Sequence, residues 1–129
     1  VLAAHRAYFR AALDAGMLLR PFKEKIAFKV ARLRETPYCT GSHRGYALKQ
    51  GVPVAELDAI DRGDYTGLPA KERASLLFAE AMVAGRMTDA SFAALREHFN
   101  EAEAVEIVAL IGIMELACSF AQVFDLAAD

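Results

Sequence analysis

Cysteine is scarce in this chain of 129 residues: Cys39 and Cys118 are the only two. That is too few for a disulfide framework and points to a reducing, cytoplasmic setting. Excess charge of one sign is missing as well. Fifteen Lys and Arg stand against seventeen Asp and Glu, a net charge of −2. This excludes the strongly basic footprint of a nucleic-acid binder. No signal-peptide pattern is visible at the N-terminal end. An unbroken apolar run of membrane length is also lacking. The most apolar stretch, 104–126, is interrupted by Glu106, Glu115 and Gln122, and its longest uncharged core before Glu115 is Ile107 to Met114. Ionisable groups at that density are costly in hydrocarbon, so the stretch reads as a buried helix rather than a span. Linkers, low-complexity tracts and short repeats are absent too, and residues 1–129 read as a single domain.

Apolar residues make up 55% of the chain, ample for a core. Their spacing is helical almost throughout, and no β alternation competes with it, so the fold class is all-α with six to seven helices. Tyr8, Phe9 and Leu13 mark a first helix that Gly16 stops. Pro21 suits the first turn of a second, where Phe22, Ile26, Val30 and Leu33 form a stripe. Thr36-Pro37 opens a third helix, which ends near Gly51. Val52-Pro53 opens a short fourth, followed by a turn-rich loop over 63–67, and Pro69 opens a fifth that runs to about Gly85. Thr88-Asp89 caps the sixth, and Asn100 with Glu103 forms a capping box for a long last helix. That last helix is apolar nearly all round and must be covered on several sides, which predicts burial between subunits.

Charge is uneven along the chain. Residues 1–50 hold 10 Lys/Arg and 3 Asp/Glu, whereas residues 51–129 hold 5 and 14. Lys25, Lys29 and Arg32 fall along one helical face. Without aromatic residues between them they lack a stacking platform for a nucleic acid, so a basic half packed beside an acidic half is the favoured reading.

The chemistry concentrates in Thr36-Pro37-Tyr38-Cys39-Thr40-Gly41-Ser42-His43. With Thr36 as N-cap, Cys39 falls in the first helical turn. There the free N–H groups and the helix dipole favour a thiolate. His43 lies four residues later on the same face, within reach of a shared proton. Glu24, on the preceding helix beside the buried stripe, is the candidate carboxylate to orient the imidazole. Local chemistry alone leaves a reactive Cys39 and a small inert core cysteine as equal readings. Tyr38 sits beside the thiol and could donate to a substrate, and Tyr65 could line a pocket mouth. His5 and His98 have no helical-spacing relation to the Cys39/His43 pair, so the sequence assembles no metal site. Cys118 lies among Ala117, Ser119 and Phe120 and reads as packing.

A Glu, then Cys-x-x-Cys-x-x-x-His at a helix start, then Gly, is the pattern of AhpD-like alkylhydroperoxidases of the carboxymuconolactone decarboxylase superfamily. The sequence resembles it at Glu24, Thr36, Cys39, His43 and Gly51, most closely along Pro37 to His43 and well over about residues 20–85. The resemblance implies a compact helical bundle assembled into trimers or hexamers, with no cofactor. It also implies a peroxidase site in which Cys39 attacks the O–O bond while His43 and Glu24 relay the proton. The substrate would be a small-molecule peroxide and the reductant an external thiol. Thr36 replaces the first cysteine of the pair and cannot resolve a sulfenic acid on Cys39. An outside thiol, or Cys118, must then do so. A hydroxyl at position 36 could instead cap the helix or bond a thiolate. Two alternatives follow from that departure. One is a decarboxylase or isomerase of a small lactone or keto acid that uses His43 and Glu24 and needs no cysteine. The other is a non-catalytic helical oligomer.

Overall fold

The computed structural model describes residues 1–127, which form seven helices and, among the described residues, no strand. The helices are α1 (Leu2–Leu13), α2 (Arg20–Leu33), α3 (Pro37–Lys49), α4 (Val54–Asp61), α5 (Ala70–Val83), α6 (Asp89–Arg96) and α7 (Glu101–Val123). Prolines mark four of the starts: Pro21 and Pro37 lie in the first turns of α2 and α3, and Pro53 and Pro69 immediately precede α4 and α5. A proline there forfeits no helical hydrogen bond and presets φ. At the head of α6 the Thr88 hydroxyl accepts the Ser91 N–H at 3.1 Å. Asn100 and Glu103 close the reciprocal box at the head of α7, at 2.8 and 2.9 Å.

The centre of the bundle is α2, which packs on α1, α3, α4, α5 and α7. Its residues 23–31 are all buried, and they include Lys23, Glu24, Lys25 and Lys29. Charges taken out of water need partners. Lys23 Nζ donates to the Asp14 carbonyl at 2.7 Å and lies 3.4 Å from Glu106. Lys25 Nζ sits 2.7 Å from both Glu56 and Glu72. Burial pulls the Lys25 pKa down, but these two carboxylates outweigh it and leave it raised. Lys29 donates to the Ile60 carbonyl at 3.1 Å, and burial holds its pKa below the usual lysine value. Arg32 meets Asp61 at 2.6 Å. The basic face is therefore matched by acids of α4 and α5 in the same chain, as the charge asymmetry suggested.

Two apolar clusters flank α2. One gathers Ile26 and Val30 with Leu13, Phe78, Leu95 and the inward face of α7, and both cysteines belong to it. The other joins Phe28 to Leu57, Ile60, Tyr65, Leu68 and Leu76. Tyr65 points into the core instead of outward. Its ring is buried in this second cluster with Lys29 Nζ 5.3 Å from its centroid, and its hydroxyl donates to Glu80 at 3.0 Å. Burial, with Glu80 second, pushes the Tyr65 pKa up.

By length and composition α7 could cross a membrane. Here its inward residues Ile107, Leu110, Ile111 and Met114 are fully covered by the other helices. Truncating any one of them to alanine should cost about 2–5 kcal/mol. Outward, Val105, Val108 and Leu116 stay exposed in the single chain. The α1–α2 loop is tied to α7 by Glu106, whose carboxylate accepts the N–H groups of Met17 at 2.8 Å and Leu18 at 3.0 Å.

Candidate active site

The turn that delivers Cys39 begins where α2 stops. Glu35 adopts φ 50°, in the left-handed region, and the Thr36 N–H bonds back to the Ala31 carbonyl at 3.1 Å. This is the closing bond of a Schellman-type stop, a position glycine usually fills. Holding a glutamate there costs on the order of 1 kcal/mol. Pro37 then keeps Thr36 extended, at φ −112° and ψ 93°. As a result Cys39 falls in the first turn of α3, with His43 one turn further on, and both are buried.

Glu24 reaches this pair from α2. It is completely buried, and its Oε2 lies 2.8 Å from His43 Nδ1. Its Oε1 accepts Arg20 Nε, also at 2.8 Å. The carboxylate thus divides its two oxygens between a cation and the imidazole. Phe9 packs against the imidazole at 5.9 Å between centroids, and Tyr46 meets it edge-on at 5.4 Å. With Nδ1 committed to Glu24, the neutral ring carries its proton there and Nε2 is left to exchange protons elsewhere.

Cys39 and His43 share the wall of a cavity of about 880 Å³. Tyr38 lies on the same wall with Ser42 and Tyr46, while Phe9, Phe120 and Phe124 supply its aromatic lining. Glu24 is not among the lining residues and acts on the cavity only through His43. His5 also lines it, its ring 5.0 Å from that of Phe120 and its buried Nδ1 without a protein partner. Sequence spacing could not place His5, because it comes from α1. Arg20 was missed too, although a basic residue four positions before Glu24 on one helix was a readable signal.

The second sulfur changes the electrostatics of the site. Cys118 of α7 is fully buried, as its apolar neighbours suggested, and shares an apolar cluster with Cys39. Thr36, at the N-cap position, makes no capping bond. Its hydroxyl donates to the Arg34 carbonyl at 3.1 Å and accepts Gln122 Nε2 at 3.2 Å. Accepting from Cys39 lowers the Cys118 pKa most. Burial opposes this, Thr36 and Arg34 assist it, and the net value is about 7. The Cys39 thiol is pushed up, first by donating to Cys118, then by burial and by the neighbouring charge. The two ionisations belong to the pair.

No protein-family profile and no curated protein matches the chain. Solved structures do resemble it. A protein of unknown function from Agrobacterium tumefaciens, described as an AhpD antioxidant defence protein, is 21% identical with a TM-score of 0.91, over 99% of this chain and 90% of that one. An uncharacterised peroxidase-related protein with an alkylhydroperoxidase AhpD core, from Ralstonia eutropha JMP134, is 23% identical with a TM-score of 0.87, over 98% of this chain and 70% of that one. The debrominase Bmp8, solved with 2,3,4-tribromopyrrole, is 21% identical with a TM-score of 0.89, over 98% and 70%. These likenesses show the fold: the chain has the AhpD-like fold.

Proposed function

We propose that the chain is a thiol-dependent oxidoreductase that reduces organic hydroperoxides, with Cys39 as nucleophile and His43 and Glu24 as its proton relay. The observation that carries this reading is the buried 2.8 Å contact between Glu24 and His43 behind a cavity wall that also holds Cys39. Neighbours named as peroxidase-related support the general kind of activity. In the chemical step the Cys39 sulfur attacks the terminal peroxide oxygen, an S–O bond forms and the O–O bond breaks. An alkoxide is a poor leaving group, so the proton surrendered by Cys39 must reach it as it departs. In this reading His43 Nε2 carries that proton while Glu24 steadies the imidazolium. Such positioned acid catalysis contributes about 10²–10⁴-fold. The aromatic walls favour a peroxide with an apolar body over hydrogen peroxide. The product is an alcohol and a Cys39 sulfenic acid, which an external thiol reductant returns to the thiol. In the same reading, copies associate through the outward residues Val105, Val108 and Leu116 of α7, and sedimentation should find a trimer or hexamer rather than a monomer.

A second reading has one observation in its favour: His43 borders the cavity and is held by Glu24 at 2.8 Å, a pair that needs no sulfur. This is the proton-transfer enzyme that acts on a small lactone or keto acid. Cumene hydroperoxide consumption with dithiothreitol as reductant separates the two. The peroxide reading expects turnover that Cys39→Ser abolishes and His43→Gln reduces about 10²-fold. Turnover that survives Cys39→Ser overturns it. A lactone or keto-acid activity lost in His43→Gln but kept in Cys39→Ser establishes the proton-transfer enzyme instead. Thiol-dependent bromide release from 2,3,4-tribromopyrrole without peroxide consumption keeps the nucleophile and replaces the substrate class.

A further inference from the structure

We infer that Cys39 and Cys118 are the two halves of one redox couple: Cys118 closes the peroxide-oxidised Cys39 into a Cys39–Cys118 disulfide, which an external dithiol reopens. The inference rests on the peroxide reading of Cys39 given above. Its structural basis is the burial of the only two sulfhydryls of the chain, from the packed helices α3 and α7, in one apolar cluster, with Gln122, one turn along from Cys118, donating at 3.2 Å to Thr36, one turn before Cys39.

Access divides their roles. Cys39 lines the cavity, whereas Cys118 does not line it and is fully enclosed. A peroxide in the cavity therefore meets Cys39 first, and the electrophile within reach of Cys118 is the sulfur of Cys39. The surroundings of Cys118 equip it to attack. The Arg34 cation favours its thiolate, and Gln122, on the same helix as Cys118, donates to the Thr36 hydroxyl oxygen. A thiol that ionises near ambient pH combines a useful thiolate fraction with retained nucleophilicity.

The steps balance. Cys39 and the hydroperoxide give a Cys39 sulfenic acid and an alcohol, with the thiol proton passing to the alkoxide. The Cys118 thiolate then attacks the Cys39 sulfur, the S–S bond forms and the S–O bond breaks. The hydroxide takes up a proton and leaves as water. Two thiols have been oxidised and one peroxide reduced to alcohol and water, and a dithiol in the cavity reverses the change by exchange at the cavity-lining Cys39 sulfur. Enclosure of Cys118 also shortens the life of the sulfenic acid and so limits further oxidation.

The test is to treat the reduced full-length protein with one equivalent of cumene hydroperoxide and follow thiols and intact mass. The couple predicts loss of both thiols, a mass decrease of two hydrogens, and a cross-linked peptide joining Cys39 to Cys118 that dithiothreitol removes. In Cys118→Ser, checked for retained helicity by circular dichroism, dimedone should capture a Cys39 sulfenic acid. The yield should exceed that of the wild type by about tenfold or more. A wild-type protein that gains one oxygen at Cys39 and keeps Cys118 free overturns the couple and leaves the peroxide reading standing. Disulfide-linked dimers overturn it in the same way. If peroxide leaves Cys39 untouched while diamide joins Cys39 to Cys118, the peroxide reading falls and the thiol pair stands.

Discussion

Two charged clusters meet on α2, and they do opposite things. Lys25 lies 2.7 Å from each of Glu56 and Glu72, so that one cation is matched by two acids from α4 and α5. No described cavity carries any of the three among its lining residues. One position earlier, Glu24 gives one oxygen to Arg20 and the other to His43, and His43 borders the cavity with a ring nitrogen uncommitted. Both clusters bury charge. Only the second leaves an exchangeable atom beside a sulfur and a space for a substrate. The difference teaches that buried charge alone marks a brace, and that an uncommitted atom on a cavity wall marks a site.

Substitutions should separate the two clusters. The largest effect is expected from His43→Gln, which should lower hydroperoxide turnover by about 10²-fold. Thermal stability should change much less. A parallel fall in melting temperature and activity would make His43 part of the brace. Glu24→Gln keeps the shape but weakens the hold on the imidazolium, so a loss of roughly 10–10²-fold in kcat is expected. Because Glu24 is a positioning residue, its loss should also shift the acidic limb of the pH–rate profile, which a packing role would not do.

Lys25→Met should show the reverse signature. It leaves Glu56 and Glu72 facing each other without a cation and should cost about 2–4 kcal/mol of unfolding free energy in urea titrations. The kcat for hydroperoxide should be retained. A large activity loss in a folded Lys25→Met protein would erase the distinction between brace and site.

Smaller effects sharpen the description of the scaffold. Burial pushes the Glu106 carboxyl up, but the N–H groups of Met17 and Leu18 together with Lys23 outweigh it and hold the pKa below the usual carboxylate value. A depressed folded pKa stabilises fully above the unfolded value of about 4.3 and is lost as pH falls through the folded value. Glu106→Gln should therefore cost roughly 1–2 kcal/mol at neutral pH. The gap from wild type should narrow below about pH 4, and a gap constant with pH would assign the effect to shape. Gly16 belongs to the same contact, since a Cβ there would collide with the Glu106 carboxylate. Smallest is Glu35→Gly, which should raise stability by about 1 kcal/mol by relieving the left-handed residue before Thr36.

Features with a local cause could be read from the sequence. Pro21, Pro37, Pro53 and Pro69 start helices because a missing N–H is harmless only there, and the Asn100/Glu103 box is complete within four residues. The pairing of Lys25, Lys29 and Arg32 with acids of the second half followed from charge distribution. The meeting of Glu24 with His43 needed more, because it depends on how α2 lies against α3; family resemblance suggested it, where spacing could not. That Cys118 shares a cluster with Cys39 was illegible for the same reason. Its neighbours Ala117, Ser119 and Phe120 describe a packed helix, and nothing within a few residues reveals the Cys39 sulfur beside it. Tyr65 misled in the other direction, since the turn residues around it conceal that its ring points inward to Lys29 and Glu80.

That Cys39 is the nucleophile served by His43 is tested most directly by rapid mixing of reduced protein with limiting cumene hydroperoxide, quenching with a thiol-alkylating reagent and mapping the modified cysteines. Cys39 is expected to disappear first, and about 10²-fold more slowly in His43→Gln. Equal rates in the two proteins, or oxidation of Cys118 while Cys39 remains free, would contradict it.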